Sequence, residues 1–309
     1  MNQTADMVVY GCLEEERRII GQVFEGFGLS ARFVEEEMSV SRAPLAQDCS
    51  CVSVSHRTAL LRSELQALKD AGVECIITRS VGLDHIDAEA AEDMGLTVRP
   101  SPYSPGSVAD YTMMLILLAL RCEARSSANA IGGGIRKITC GRELSDLTVG
   151  IVGPGRIGTA VAERLKGFGC EIMIAGRARP GETPTLPELL PKVDVLTLHV
   201  PLTAETTHLI GRDEIALMKH DAIVVNTGRG ELIETPALLD ALKEGRLGGA
   251  ALDVVEGENS GRYSEALEAL PNTIVTPHKA YYTRRALSDI ATSMAKSYLE
   301  FERSCEENE

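Results

Sequence analysis

The chain has 309 residues, of which 44% are hydrophobic and 25% charged, and it carries a formal net charge of −14. That is the composition of a soluble globular protein long enough for two domains of ordinary size. So acidic a chain excludes a nucleic-acid backbone or an anionic membrane as its main partner, and an anionic substrate would have to meet positive charge placed locally.

Short apolar runs alternate with amphipathic helical patterns from end to end, which predicts an α/β fold of parallel sheets with crossover helices. In the first hundred residues the strand candidates are Met7–Tyr10, Cys51–Ser55, Cys75–Thr78 and Thr97–Arg99. Helix candidates lie between them at Leu13–Phe27, Ser63–Ala71 and Asp87–Met94. Pro100, Pro102 and Pro105 then read as a crossing between domains. The helix expected at Ser107–Arg121 is apolar on most of its surface, as a helix packed on two sides or against another subunit would be. Six further strands follow at Val149–Val152, Glu171–Ala175, Val193–His199, Ala222–Asn226, Gly249–Leu252 and Thr273–Val275, the number expected of a dinucleotide-binding domain. The last helical stretch, Tyr281–Glu309, is too small to fold alone and is expected to return to the N-terminal domain. The expected division is therefore 1–101 plus 281–309 for one domain and 102–280 for the other.

Eight cysteines occur with no C-x-x-C pair and no metal-ligand spacing, so they read as reduced core thiols, and no metal is expected. The N-terminal residues lack a basic run of the signal-peptide kind, and no apolar stretch is long enough for a membrane span, so a cytoplasmic location is expected.

The densest motif is L-T-V-G-I-V-G-P-G-R-I-G at 147–158, an apolar strand entering a G-x-G-x-x-G turn at Gly153, Gly155 and Gly158. Glycines there let the backbone turn sharply and approach a pyrophosphate, and the helix that follows offers unpaired N–H groups and a positive dipole end. Three later strands run into polar residues where ligands lie in open α/β sheets. Arg229 follows one, Asp253 and Glu258 another, and His278 a third. An arginine, a carboxylate and a histidine at neighbouring strand ends can bind a substrate carboxylate, orient an imidazole and donate a proton. Each residue alone also reads as a solvated loop or cap.

The motifs resemble those of the D-specific 2-hydroxyacid dehydrogenase family over essentially the whole chain. The matching pieces are R-S-V-G-L-D-H-I-D (79–87), Y-S-P-G-S-V-A-D-Y-T (103–112), the glycine turn, L-H-V-P-L-T (198–203), N-T-G-R-G (226–230), G-A-A-L-D-V-V-E-G-E (249–258) and T-P-H-K-A-Y-Y-T (276–283). Within the family, V-S-V-S-H (52–56) and V-A-D-Y-T-M-M-L-I-L (108–117) are most similar to the 2-oxoacid reductases of vancomycin-resistance operons.

The resemblance implies two Rossmann-like or flavodoxin-like domains with the active site in the cleft between them, and a homodimer. It implies that a small 2-oxo acid is reduced to a D-2-hydroxy acid. Arg229 would grip the substrate carboxylate and 2-oxo oxygen, His278 would donate the proton, and Glu258 would hold the imidazole in orientation. The N–H groups of Val81 and Gly82 would complete the carboxylate site, with Tyr103 and Tyr281 lining the pocket. Arg156 and Ile157 open the helix after the glycine turn. Thr227, Gly228 and Asp253 would face the nicotinamide ribose and carboxamide, with Val200, Pro201 and Thr206 along the cofactor.

The second strand of this domain should end in an acidic residue that bonds the ribose hydroxyls of NAD. Here it ends in Gly176-Arg177-Ala178-Arg179. Two arginines and no carboxylate suit a 2′-phosphate, so NADP(H) is expected to be preferred, with NAD(H) possible. Lys279 beside His278 and the short segment from Glu258 to Pro271 depart from the nearest relatives. A competing reading is a nucleotide-sensing binding module, since corepressors of transcription share these motifs.

Overall fold

In the computed structural model, residues 5–121, 140–176 and 183–307 are described, and the chain divides into two compact units. One is Met1–Ser104 with Tyr282–Glu309, and the other is Pro105–Tyr281.

The first unit holds a sheet of five strands, all parallel: β1 (Met7–Val9), β2 (Ala31–Phe33), β3 (Cys51–Val54), β4 (Cys75–Thr78) and β5 (Thr97–Pro100), in the order β2-β1-β3-β4-β5. This is the flavodoxin-like order. β2 escapes periodicity because its three residues, Ala-Arg-Phe, form a half-buried edge strand, too short for alternation to register. Helices α1 (Glu14–Gly26), α2 (Arg62–Asp70) and α3 (Ala88–Asp93) lie between the strands. The start of α1 is fixed by the Glu16 carboxylate, which accepts from the Leu13 N–H at 2.9 Å. Chain order resumes in this unit with the C-terminal helix Arg284–Glu306, capped where Thr283 accepts from the Ala286 N–H at 3.2 Å. It packs along α1 and behind β4, burying Leu287, Ile290, Met294, Tyr298 and Phe301.

The second unit begins with α4 (Gly106–Leu120), whose Val108, Ala109, Met113, Leu115, Ile116 and Leu120 are buried, while Met114 stays 39% exposed. Its six strands are β6 (Thr148–Val152), β7 (Glu171–Ala175), β8 (Val195–Leu198), β9 (Ile223–Asn226), β10 (Gly249–Leu252) and β11 (Thr273–Val275). They are parallel, in the order β11-β10-β9-β8-β6-β7. Buried on both faces, the inner strands need no alternation and read as largely apolar runs. The helices are α5 (Arg156–Leu165), α6 (Leu186–Leu189), α7 (Arg212–Leu217), α8 (Thr235–Lys243) and α9 (Ser264–Glu268), so the C-terminal helix is α10.

The register of this sheet places the site. Ala175 pairs with Val152, Val152 with Leu198, Leu198 with Asn226, Asn226 with Leu252 and Leu252 with Val275. All six strands thus stop in one row, and the residues just beyond them share the carboxyl edge. Among the described residues no helix is long and apolar enough to cross a membrane.

Candidate active site

The glycine turn follows β6 as its spacing requires. Gly153 sits at φ +105°, and a side chain there would meet the carbonyl oxygen of His199 at 2.6 Å. A Cβ on Gly158 would collide with the Gly153 carbonyl, so α5 can approach the turn only with glycine at that place. At Gly155 nothing lies within 4 Å of an added Cβ, and this residue is the N-cap of α5, which it leaves without a side-chain acceptor. An open turn at a helix N-terminus fits the phosphates of a dinucleotide. Arg156 is exposed and Ile157 half-buried at the start of that helix. Gly176, at the end of β7, lies against the ring of Pro154. Arg177 and Arg179 lie outside the described residues.

After β8, the His199 N–H donates to the carbonyl of Val152 at 2.7 Å and its Nε2 lies 3.0 Å from the Thr197 hydroxyl. Burial pushes this imidazole down from 6.5 to about 4. Val200 is half-buried and Pro201 exposed, and the Pro201 carbonyl accepts from the Thr206 hydroxyl at 2.7 Å, which folds that loop on itself.

After β9, the Asn226 side chain organises the turn. Its amide donates to the Arg229 carbonyl at 2.7 Å and its oxygen accepts from the Gly228 N–H at 3.0 Å. The Thr227 hydroxyl is 3.0 Å from that of Thr112 on α4. The guanidinium of half-buried Arg229 donates to the Gly228 carbonyl at 3.0 Å. Next to it, Gly230 is so close to the backbone of Val255 and Glu256 that a Cβ would overlap it. That close approach brings Arg229 beside the turn that carries Glu258.

After β11, His278 has the left-handed φ of +48°, a conformation a β-carbon disfavours by about 1 kcal/mol. Its Nδ1 lies 2.6 Å from Oε1 of Glu258, and the pair is largely shielded, with side-chain exposures of 19% and 32%. The conformation is held by Asp253. The Asp253 carbonyl accepts from the His278 N–H at 2.9 Å, and Oδ1 accepts from the Thr276 hydroxyl at 2.6 Å and the Lys279 N–H at 3.1 Å. Oδ2 accepts from the Ala280 N–H at 2.7 Å. The family resemblance sets Asp253 against the nicotinamide; here it is fully buried and both its carboxylate oxygens are directed at residues 276–280. Burial raises its carboxyl above the ordinary range, against the opposing pull of the Thr276 hydroxyl, the Ala280 and Lys279 N–H groups and nearby His278. Lys279 itself is exposed. Tyr281 is 9% exposed at the end of this unit.

The structure therefore brings Arg229, Asp253, Glu258 and His278 to one edge of one sheet. This is a positioned imidazole with a carboxylate behind it and a guanidinium nearby, an arrangement suited to delivering a proton to the oxygen of an anionic carbonyl compound. Residues 113–280 match the model of the NAD-binding domain of D-isomer specific 2-hydroxyacid dehydrogenases. The chain belongs to the D-isomer specific 2-hydroxyacid dehydrogenase family. It is an oxidoreductase with an NAD-binding domain. It is 44% identical over 313 residues to a D-specific alpha-keto acid dehydrogenase of Enterococcus faecium, covering 96% of this chain and 97% of that one. Among solved structures of the family, it is similar to the apo D-lactate dehydrogenase of Escherichia coli, with a TM-score of 0.87 at 29% identity, covering 96% of this chain and 97% of that one. It is also similar to a D-lactate dehydrogenase of Aquifex aeolicus complexed with NAD and lactic acid, with a TM-score of 0.83 at 30% identity and 96% of each chain covered.

The first unit carries Val81 and Gly82 in the turn after β4, with Val81 49% exposed. Among the described residues, the N–H groups of Val81, Gly82 and Leu83 donate to no protein acceptor. Tyr103 is half-buried beyond β5. Motif reading gave no role to Arg79, which is 2% exposed. Its guanidinium donates to the carbonyls of Tyr10 at 2.8 Å and Gly11 at 2.9 Å, with Glu16 at 3.8 Å, and so ties the ends of β1 and β4. Thr276 was equally silent, though it stands inside T-P-H-K-A; only contact with Asp253 shows what its hydroxyl does.

Proposed function

We propose that this enzyme reduces a 2-oxo acid to the D-2-hydroxy acid, with His278 as proton donor, Glu258 as its orienting partner and Arg229 as the anchor of the substrate's carboxylate and oxo oxygen. The observation that carries this assignment is the 2.6 Å contact between His278 Nδ1 and Glu258. With Nδ1 committed to a carboxylate, Nε2 is the ring atom from which a proton passes to the substrate oxygen. A reduced nicotinamide, when bound, supplies the hydride to C2 of the substrate. The turn at Gly153, Gly155 and Gly158 with the first residues of α5 would hold its pyrophosphate, and Val200, Pro201, Thr206, Thr227 and Gly228 would flank the rest. The N–H groups of Val81 and Gly82 suit the substrate carboxylate, and Tyr103 and Tyr281 suit the walls around its side chain. The first unit is thus read as substrate-binding and the second as dinucleotide-binding.

NADPH is proposed as the preferred cofactor, because Arg177 and Arg179 follow β7 where an NAD-specific domain of this type would carry a carboxylate. A 2′-phosphate paired by two arginines gains about 1–3 kcal/mol of discrimination. The chain is also read as a homodimer, from the apolar surface of α4 around Met114, and as a protein of a reducing compartment, from the free buried thiols Cys12, Cys49, Cys51 and Cys75. Steady-state kinetics with NADPH and NADH across pyruvate, branched-chain and aromatic 2-oxo acids, with chiral analysis of the product, tests the assignment. Turnover to the D-acid with kcat/KM higher for NADPH is expected. Cofactor binding without turnover would favour a nucleotide-sensing module, and equal or NADH-favouring values would reject the cofactor preference.

A further inference from the structure

Beneath the turn that offers the N–H groups of Val81, Gly82 and Leu83 runs a chain of polar side chains that the reaction itself does not use. The Ser80 hydroxyl donates to the Gly82 carbonyl at 2.6 Å. The Thr78 hydroxyl is 3.0 Å from Ser80 Oγ and 2.9 Å from His85 Nε2. Thr78 is fully buried and Ser80 is 7% exposed.

The directions of these bonds follow from counting protons. A carbonyl can only accept, so the single Ser80 proton is spent on Gly82. Thr78 must then donate its own proton to Ser80, and His85 Nε2 must be the donor to Thr78. The relay runs one way, from His85 through Thr78 and Ser80 to the Gly82 oxygen. Two further bonds hold the same loop: the Ser80 carbonyl accepts from the Ser101 N–H at 2.9 Å and the Leu83 carbonyl accepts from the Ile86 N–H at 2.9 Å. The carbonyls of Ser80, Gly82 and Leu83 are therefore all bonded within the unit. Because a peptide group is planar and trans, a Gly82 carbonyl pulled toward Ser80 turns the Leu83 N–H the opposite way.

We infer that Ser80 is a positioning residue for the substrate's carboxylate, which it serves by fixing the Gly82–Leu83 peptide plane, at the end of the turn that carries the Val81 and Gly82 N–H groups, through the His85–Thr78–Ser80 relay. A turn already held in one conformation binds an anion without first reorganising, so the relay acts on substrate affinity rather than on proton or hydride transfer. The inference rests on the reading of this turn as the carboxylate site.

Two variants and two measurements test it. In Ser80→Ala, KM for the 2-oxo acid is expected to rise about tenfold, with kcat and the KM for the cofactor each within about threefold of the parent. Ser80→Thr keeps the hydroxyl and is expected to restore most of the affinity. Thr78→Val breaks the relay one step earlier and should raise the same KM in the same direction; it serves also if the alanine variant does not fold. The second measurement needs no turnover: amide resonances of Val81, Gly82 and Leu83 should shift in Ser80→Ala and return in Ser80→Thr. An unchanged KM, or equal losses in the alanine and threonine variants, would overturn the positioning role. A parent enzyme that reduces no 2-oxo acid, with the amide shifts still following the hydroxyl, would sink the carboxylate reading and leave the relay standing. Amide resonances that ignore the hydroxyl would sink the relay itself.

Discussion

Oδ2 of Asp253 accepts the N–H of Ala280 at 2.7 Å, two residues past the histidine of the site, and this bond belongs to a set of four between Asp253 and residues 276–280. The buried carboxylate thus encloses the segment that presents His278, while Glu258 holds the ring. Backbone and ring are governed by different residues, and their substitution should have different signatures.

Replacing the carboxylate at 253 by an amide removes acceptor capacity where three donors converge. In Asp253→Asn the amide nitrogen must face an N–H or hydroxyl that needs an acceptor, and the left-handed His278 loses part of its support. A displacement of the imidazole by about 1 Å costs on the order of 100-fold in rate. The expected outcome is a kcat lowered by roughly that factor, with a lower Tm and little change in cofactor affinity. Stopped-flow turnover and cofactor titration read the two separately; a large loss of cofactor affinity with kcat preserved would instead put Asp253 in contact with the nicotinamide.

The ring partners give a second test. His278→Asn removes the proton donor and should lower kcat by about 10²–10⁴-fold, the usual range for a general acid. Glu258→Gln keeps a hydrogen-bonding group of the same shape, so its loss should be smaller, about tenfold to 100-fold. If the two variants are additive in the double substitution, the residues do not act as a unit and the assigned pairing is wrong.

Acid should weaken the second unit through His199. Its imidazole is held neutral down to about 4, whereas in the unfolded chain it protonates near 6.5. As pH falls below 6.5 the unfolded state binds the proton first, so stability is complete above that value, declines through the interval and levels off below pH 4. The shift corresponds to about 3 kcal/mol across the window. Urea unfolding of the parent and of His199→Gln at several pH values from neutral to acid checks this, since the variant should lose most of the slope attributable to this group. Parallel slopes in the two proteins would show that other groups dominate the acid sensitivity.

Much of the architecture was legible in the amino-acid order because strands buried on both faces announce themselves as largely apolar runs without alternation, as Val195–Leu198 and Ile223–Asn226 do. Glycine spacing at 153–158 was equally explicit, since at Gly153 and Gly158 the turn lies too close to other backbone for a side chain. Short elements at the margin escaped: Ala31–Phe33 is an edge strand of three residues, and no period can be read from so few. Only the folded chain decided the rest. Sheet register aligned the six strand ends, and that alignment set His278 against Glu258 across 20 residues of chain. The tasks of Asp253 and of Ser80 depend on donors that come within reach only when strands lie side by side and loops close over them. A hydrogen bond is a matter of ångströms and angles, and linear order carries neither until the backbone has folded.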